Sequence, residues 1–203
     1  MPERDVDYAY ESSDPYCYPG SHVLRNKLGL TNADELAEAE RSISMLRLAQ
    51  MDKNGDCFPR TFDAQHLQAI HRFAFSDLFE WAGEYRTVNI AKGSFFCVSD
   101  YIPEQMENVF TQLRNEKHLA ETPARSMAAR LAYYLGEINA IHPFREGNGR
   151  AQRAFVRQLA YENGYLLSFA RTGRNEMIQA SVSSFNGSNE ALEHLVAKSL
   201  SKR

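Results

Sequence analysis

Twelve consecutive residues, His142-Pro-Phe-Arg-Glu-Gly-Asn-Gly-Arg-Ala-Gln-Arg153, hold most of the side chains in this sequence that could do chemistry together. His142 can take a proton near neutral pH. Gly147-Asn148-Gly149 lets the backbone close around an anion, and a helix beginning there would point unpaired N–H groups at it. Arg150 and Arg153, three residues apart, lie on one face of that first helical turn and suit a polyphosphate. Polyphosphate usually arrives with Mg²⁺, a hard cation that takes one or two carboxylates, and Glu146 adjoins the turn. Taken singly, each component has an ordinary explanation: a solvated loop histidine, a turn, a solvated helix face, a glutamate at a helix N-terminus. Taken together they point to a phosphate-handling site, and on their own they select no reaction.

The surrounding pattern says what must position that loop. Apolar spacing predicts a helix over Met127, Leu131, Tyr134, Leu135 and Ile138, ended near Ile141 because Pro143 disfavours a helical residue before it. A second helix is expected from Arg150 to Asn163, stopped by Gly164. Further helices are expected at Val23–Leu28, after the Thr31-Asn32 cap with Leu36, Ala39, Ile43 and Leu46 inward, at Leu67, Ile70 and Phe73, and at Ile102 to Leu113. Met51 to Arg60 reads as a loop. Between Trp81 and Val98 the period changes: Tyr85–Ile90 and Phe95–Val98 have strand propensity around an Ala91-Lys-Gly93 turn, so a small β-hairpin is expected within 84–98. An isolated hairpin is marginal in water and must lean on the helices.

Bulk properties narrow the classes. The 203 residues are 43% hydrophobic and 24% charged, enough for one domain with a buried core. The expected layout is a helical extension over about 1–60, a core with hairpin and loop, and terminal helices over about 174–203. A net charge of -3 gives no global attraction to nucleic acid or anionic membrane, so no direct nucleic-acid partner and no membrane are expected. The acidic start Met1–Asp7 is unlike a signal peptide, and no segment has the roughly 20 apolar residues of a membrane span. Cys17, Cys57 and Cys97 are odd in number and form no CxxC pair, which fits a reducing cytoplasm; export as a host-directed effector stays open. His66 and His71 are five apart, not four as in HExxH, and argue against a metalloenzyme.

The stretch 142–153 resembles the signature of the Fic family, HxFx(D/E)GNGRxxR, and every defined position matches. The resemblance implies an all-α helical bundle with a β-hairpin called the flap. It also implies a protein adenylyltransferase that moves AMP from ATP to a Tyr, Thr or Ser hydroxyl of a target protein. In that likeness His142 is the base, Glu146 holds Mg²⁺, and Gly147, Asn148 and Gly149 bind phosphates. Arg150 and Arg153 grip the outer phosphates, and Phe144 anchors the loop. Lys92, Gly93, Ser94 and Phe95 match the flap position beside the nucleotide, where the flap aligns a target segment by strand pairing. Gly149 stands where the family's kinases carry Lys, which favours nucleotidyl transfer. The alternative is a catalytically silent nucleotide-binding module of the same fold, which loss of His142 or of the arginine pair would signal.

Many members carry an inhibitory helix reading Ser or Thr, three residues, Glu, then Gly or Asn, whose Glu pairs with the second motif arginine. Thr31–Glu35 is followed by Leu36, and Thr172–Glu176 by Met177, so both fail at the last position. The resemblance then implies a toxin whose separate small antitoxin supplies that Glu to Arg153. Targets known in that group are the B subunits of DNA gyrase and topoisomerase IV; related effectors modify host small GTPases.

Overall fold

In the computed structural model, residues 14–54 and 57–203 are described; the acidic start and the Gly55 turn lie outside them. Helix α1 (Ala33–Asn54) begins where Asn32 Oδ1 accepts the Asp34 and Glu35 N–H groups, as its side chain predicts. It runs about one turn into the expected loop, because no breaker precedes Gly55, and it buries Leu36, Ser44 and Met51 while Leu46 is 59% exposed. The expected helix at Val23–Leu28 does not form. Asn26 instead bonds the Leu24 and Leu30 carbonyls and the Leu30 N–H through its side chain, the local competition that turns Asn away from helix.

Helix α2 (Ala64–Phe75) is capped by Asp63, whose carboxylate accepts from the His66 N–H. α3 (Ile102–Asn115), α4 (Ala124–Ile141) and α5 (Asn148–Glu162) follow, with Leu67, Ile70, Phe110, Leu131 and Phe155 at their shared core. Each such side chain contributes about 1.5–3 kcal/mol on burial. α6 (Arg174–Phe185) and α7 (Glu190–Ser199) pack against α4.

The hairpin is smaller than its propensities suggest. β1 (Ala91–Lys92) pairs antiparallel with β2 (Ser94–Phe95) around Gly93, whose φ of 78° makes the tight turn. Tyr85–Ile90 does not join it, because its polar groups bond elsewhere: Arg86 N–H donates to Pro143 O at 2.9 Å, and Asn89 Oδ1 accepts the Ser99 N–H at 2.9 Å. A second two-stranded sheet, β3 (Tyr165–Leu167) with β4 (Leu200–Lys202), replaces helix at the end of the 174–203 region. Leu167 pairs with Leu200 in its register and stitches the end of the chain to the exit of α5. The architecture is nonetheless the expected helical bundle with a small hairpin.

Candidate active site

The loop between α4 and α5 is determined atom by atom. His142 closes α4 in the left-handed conformation (φ 51°, ψ 61°), a backbone that Pro143 forces out of the helix. Its Nδ1 faces Asn139 O at 3.2 Å; a carbonyl only accepts, so Nδ1 carries the proton and Nε2 the lone pair. Phe96 stacks on the ring at 3.9 Å. Burial lowers the imidazole pKa to about 3, with Arg86 and Lys92 adding to the shift, so the ring is neutral at physiological pH.

Two residues that carry no motif hold this loop from outside. Arg86, 2% exposed, donates from Nε to His142 O at 2.9 Å, from Nη1 to Val88 O at 2.6 Å, and from Nη2 to the Ile141 and Cys97 carbonyls. It therefore ties the hairpin region to the end of α4. His71, wholly buried on α2, donates from Nε2 to Glu146 O at 2.9 Å and accepts the Gly83 N–H at Nδ1 at 2.8 Å. Its ring stacks on Phe144 at 3.9 Å, and burial lowers its pKa to about 3. Phe144 is 1% exposed, inward as expected. On the far side, Arg145 forms a buried ion pair with Asp14 at 2.7 Å. His66 is spent on Gln158 at 2.8 Å, and no group of three or more metal-ligating side chains gathers among the described residues.

Gly147 has to be glycine. Its φ is 79°, and a Cβ there would come within 2.4 Å of the Phe75 ring. α5 starts at the next residue, so the Asn148 and Gly149 amides open the helix without intrahelical partners, while Gly147 N–H donates to Glu146 Oε1 at 2.8 Å. The Asn148 side chain, expected at a phosphate, is bonded within the loop. It turns inward, 3% exposed, accepting the Phe144 N–H at 2.8 Å and donating to Phe144 O at 2.7 Å, so only its backbone amide is offered to an anion.

The two motif arginines also part company. Arg150 donates from Nη2 to Glu40 Oε1 at 2.5 Å and from Nη1 to Ser44 Oγ at 2.8 Å, with its guanidinium 5.0 Å from the Phe75 ring centre. Arg153 has no hydrogen-bond or ion-pair partner among the described residues, and burial, with Arg150 nearby, lowers its pKa to about 10. A largely buried cation without a counter-ion calls for an anion. The carboxylates of the two near-miss inhibitory segments do not provide it: Glu35 is exposed, and Glu176 pairs with Lys198.

These residues open onto a cavity of about 710 Å³. Among its lining side chains, Lys92, Arg150, Arg153 and Arg174 are cationic and Glu146 alone is acidic, so local charge is positive although the chain is net negative. Lys92 and Gly93 line it as expected. Phe95 does not: it is 76% exposed, and Phe96, one residue on, takes the inward place, because strand alternation sends neighbours to opposite sides. Ser94 contributes backbone to β2. The opposite wall comes from α6, with Met177, Ile178, Val182 and Phe185. No sequence signal marked that wall, since an apolar helical stripe reads as core.

Residues 61–160 match the model of the Fic/DOC family. Over 192 residues, 94% of this chain, the sequence is 36% identical to protein adenylyltransferase VbhT of Bartonella schoenbuchensis, of whose length it spans 40%. It is 39% identical over 176 residues to the protein named probable protein adenylyltransferase y4lH of Sinorhizobium fredii, spanning 89% of that relative. Among solved structures, the N-terminal Fic domain of a Bartonella quintana effector with bound ADP superposes with a TM-score of 0.86 at 27% identity, covering 93% of this chain and 95% of that one.

Proposed function

Since this chain belongs to the Fic/DOC family, we propose that it is a protein adenylyltransferase that moves AMP from ATP to a hydroxyl of a target protein. The observation that carries the reading is a neutral His142 and an Arg153 without a partner among the described residues, lining one cationic cavity. A base and an anion seat in one cavity are the minimum that phosphoryl-centre attack requires. Relatives that this chain largely covers are named for that activity, and a structural neighbour of 27% identity holds ADP.

In this reading the target hydroxyl gives its proton to His142 Nε2 as its oxygen forms a bond to the α-phosphorus. The bond from that phosphorus to the bridging oxygen breaks, and pyrophosphate leaves. The low pKa of the free imidazole is no obstacle, because the incoming polyphosphate replaces solvent with negative charge and draws the pKa up. The Asn148 and Gly149 amides take phosphate oxygens at the helix N-terminus, and Arg153 takes the outer phosphates. Glu146 fits Mg²⁺ as the single protein carboxylate at the cavity, leaving the rest of the coordination shell to phosphate and water. When bound, the metal neutralises charge on the transferring and leaving phosphates. The apolar α6 wall and Phe96 suit the flat face of a base.

The outer edges of β1 and β2 are unpaired within their two-stranded sheet, which supports alignment of an extended target segment by strand addition. Arg153, which no carboxylate among the described residues pairs with, is the point at which a separate antitoxin would insert its Glu. Restraint of this kind fits a cytoplasmic toxin. No helix among the described residues is long and apolar enough to cross a membrane.

Incubation with Mg²⁺, a bacterial lysate and ATP labelled at the α-phosphate tests the reading. A labelled protein band is expected, absent with His142→Ala. Transfer of γ-label instead would replace it with a kinase, and no label from either would leave the silent module.

A further inference from the structure

Arg150 sits in the signature, yet the side chains that hold it come from α1, outside the segment the family model matches. Glu40 contacts Nη2 at 2.5 Å and Ser44, fully buried, contacts Nη1 at 2.8 Å, while the guanidinium stands 5.0 Å from the Phe75 ring centre. The same Phe75 ring lies against Gly147, so one aromatic fixes the phosphate turn and the arginine together. Three anchors determine the guanidinium plane, and none of them belongs to the loop that Arg150 serves.

The looser contact of Arg150 is as telling. Glu146, four residues earlier, stands 3.7 Å from the same Nη2, a weaker approach than Glu40 at 2.5 Å. Glu40 is 13% exposed and faces Arg150, Arg41 and the Glu146 carboxylate; burial and Glu146 push its pKa up to about 7. A buried carboxylate beside a second one is costly, and Arg150 is what compensates it. Without Glu40, no carboxylate of α1 would compete with Glu146 for Arg150, and the arginine would close on Glu146, the one carboxylate that lines the cavity among the described residues.

We propose that Glu40, with Ser44, is a positioning residue that holds Arg150 against α1, keeping the Glu146 carboxylate available and Arg150 at the cavity wall. This rests on the adenylyltransferase reading. It places a determinant of Mg-nucleotide binding on a helix with no signature motif.

Calorimetric titration of the intact protein with ATP, at a series of Mg²⁺ concentrations, tests it beside α-label transfer. Glu40→Ala is expected to weaken ATP binding roughly tenfold, the scale of one charge-assisted hydrogen bond, and to raise the Mg²⁺ needed for half-maximal binding. Glu40→Gln, which keeps an acceptor and the side-chain shape, should recover much of the ATP affinity and less of the Mg²⁺ dependence. Unchanged ATP and Mg²⁺ dependence in folded Glu40→Gln and Glu40→Ala would overturn the proposal, and a lowered melting temperature alone would not rescue it. Tighter ATP binding in Glu40→Ala would overturn it too, making Glu40 a restraint on Arg150. Absence of label transfer by the unmodified protein would sink the adenylyltransferase reading while the titration still decided the role of Glu40.

Discussion

The motif loop and the hairpin face each other across one cavity and are built on opposite plans. Between Ile141 and Gly149 nearly every polar group has a protein partner, supplied by Arg86, His71, Asn148 or the Arg145–Asp14 pair. The hairpin has two residues in each strand and a 76% exposed Phe95 near its tip. Chemistry at phosphorus tolerates little misplacement, and an over-determined loop suits the base and anion seat proposed for it. The strand pairing with a target proposed for the hairpin needs open backbone edges, and a short hairpin leaves them.

The contrast makes predictions that differ in size. His142→Ala should lower AMP transfer about a thousandfold, in the range general-base catalysis supplies, with ATP binding by calorimetry little changed. A loss below tenfold would remove the histidine from the proton transfer. Gly147→Ala should destabilise the protein by about 3 kcal/mol, since the added Cβ meets the Phe75 ring in a left-handed backbone; urea unfolding measures this. An unshifted midpoint would mean that the loop is less constrained than its contacts indicate.

Acid should act on the loop side selectively. His66, His71 and His142 have pKa values lowered by burial to about 4, 3 and 3. Between those values and 6.5 the unfolded chain binds more protons, so stability is full above 6.5 and falls as pH drops toward 4. Glu40, raised to about 7, works in the opposite sense, the folded form gaining the proton between 4.5 and 7. Three histidines outweigh one glutamate, and denaturation midpoints from pH 7.5 to 5 should decline; a rise would show that the carboxylate dominates. The smallest effect is expected at the hairpin: Phe95→Ala should change stability by less than about 0.5 kcal/mol and leave ATP affinity intact. Transfer to a protein target should drop while ATP binding holds, and a matching loss of both would place Phe95 in the nucleotide site.

What could be read in advance follows the range over which each interaction acts. The positions of α2 to α5, the break at Pro143 and the glycine turn are local consequences of side-chain period, cap and backbone preference, and they form as expected. The failures are equally physical. Tyr85–Ile90 has strand propensity, but Arg86 spends its hydrogen bonds at the end of α4, on His142 O, 56 residues away, and on Pro143 O. Phe96 rather than Phe95 faces the cavity because a two-residue strand sets its parity by where Gly93 turns, and the turn lay one residue from where propensity put it. The type of Asn148 suits a ligand, and its side-chain bonds to Phe144 depend on how the loop closes, which no short spacing encodes.

The dodecamer from His142 to Arg153 was sufficient by itself to point to the family, and it marked the histidine and the glycine turn proposed here as base and anion seat, since such a signature depends on residue type at fixed short spacing. Which arginine is free was decided only by the tertiary structure. Arg150 and Arg153 are alike in type and adjacent on one helical face, and Glu40, 110 residues from Arg150, distinguishes them by occupying one and leaving the other to whatever anion enters.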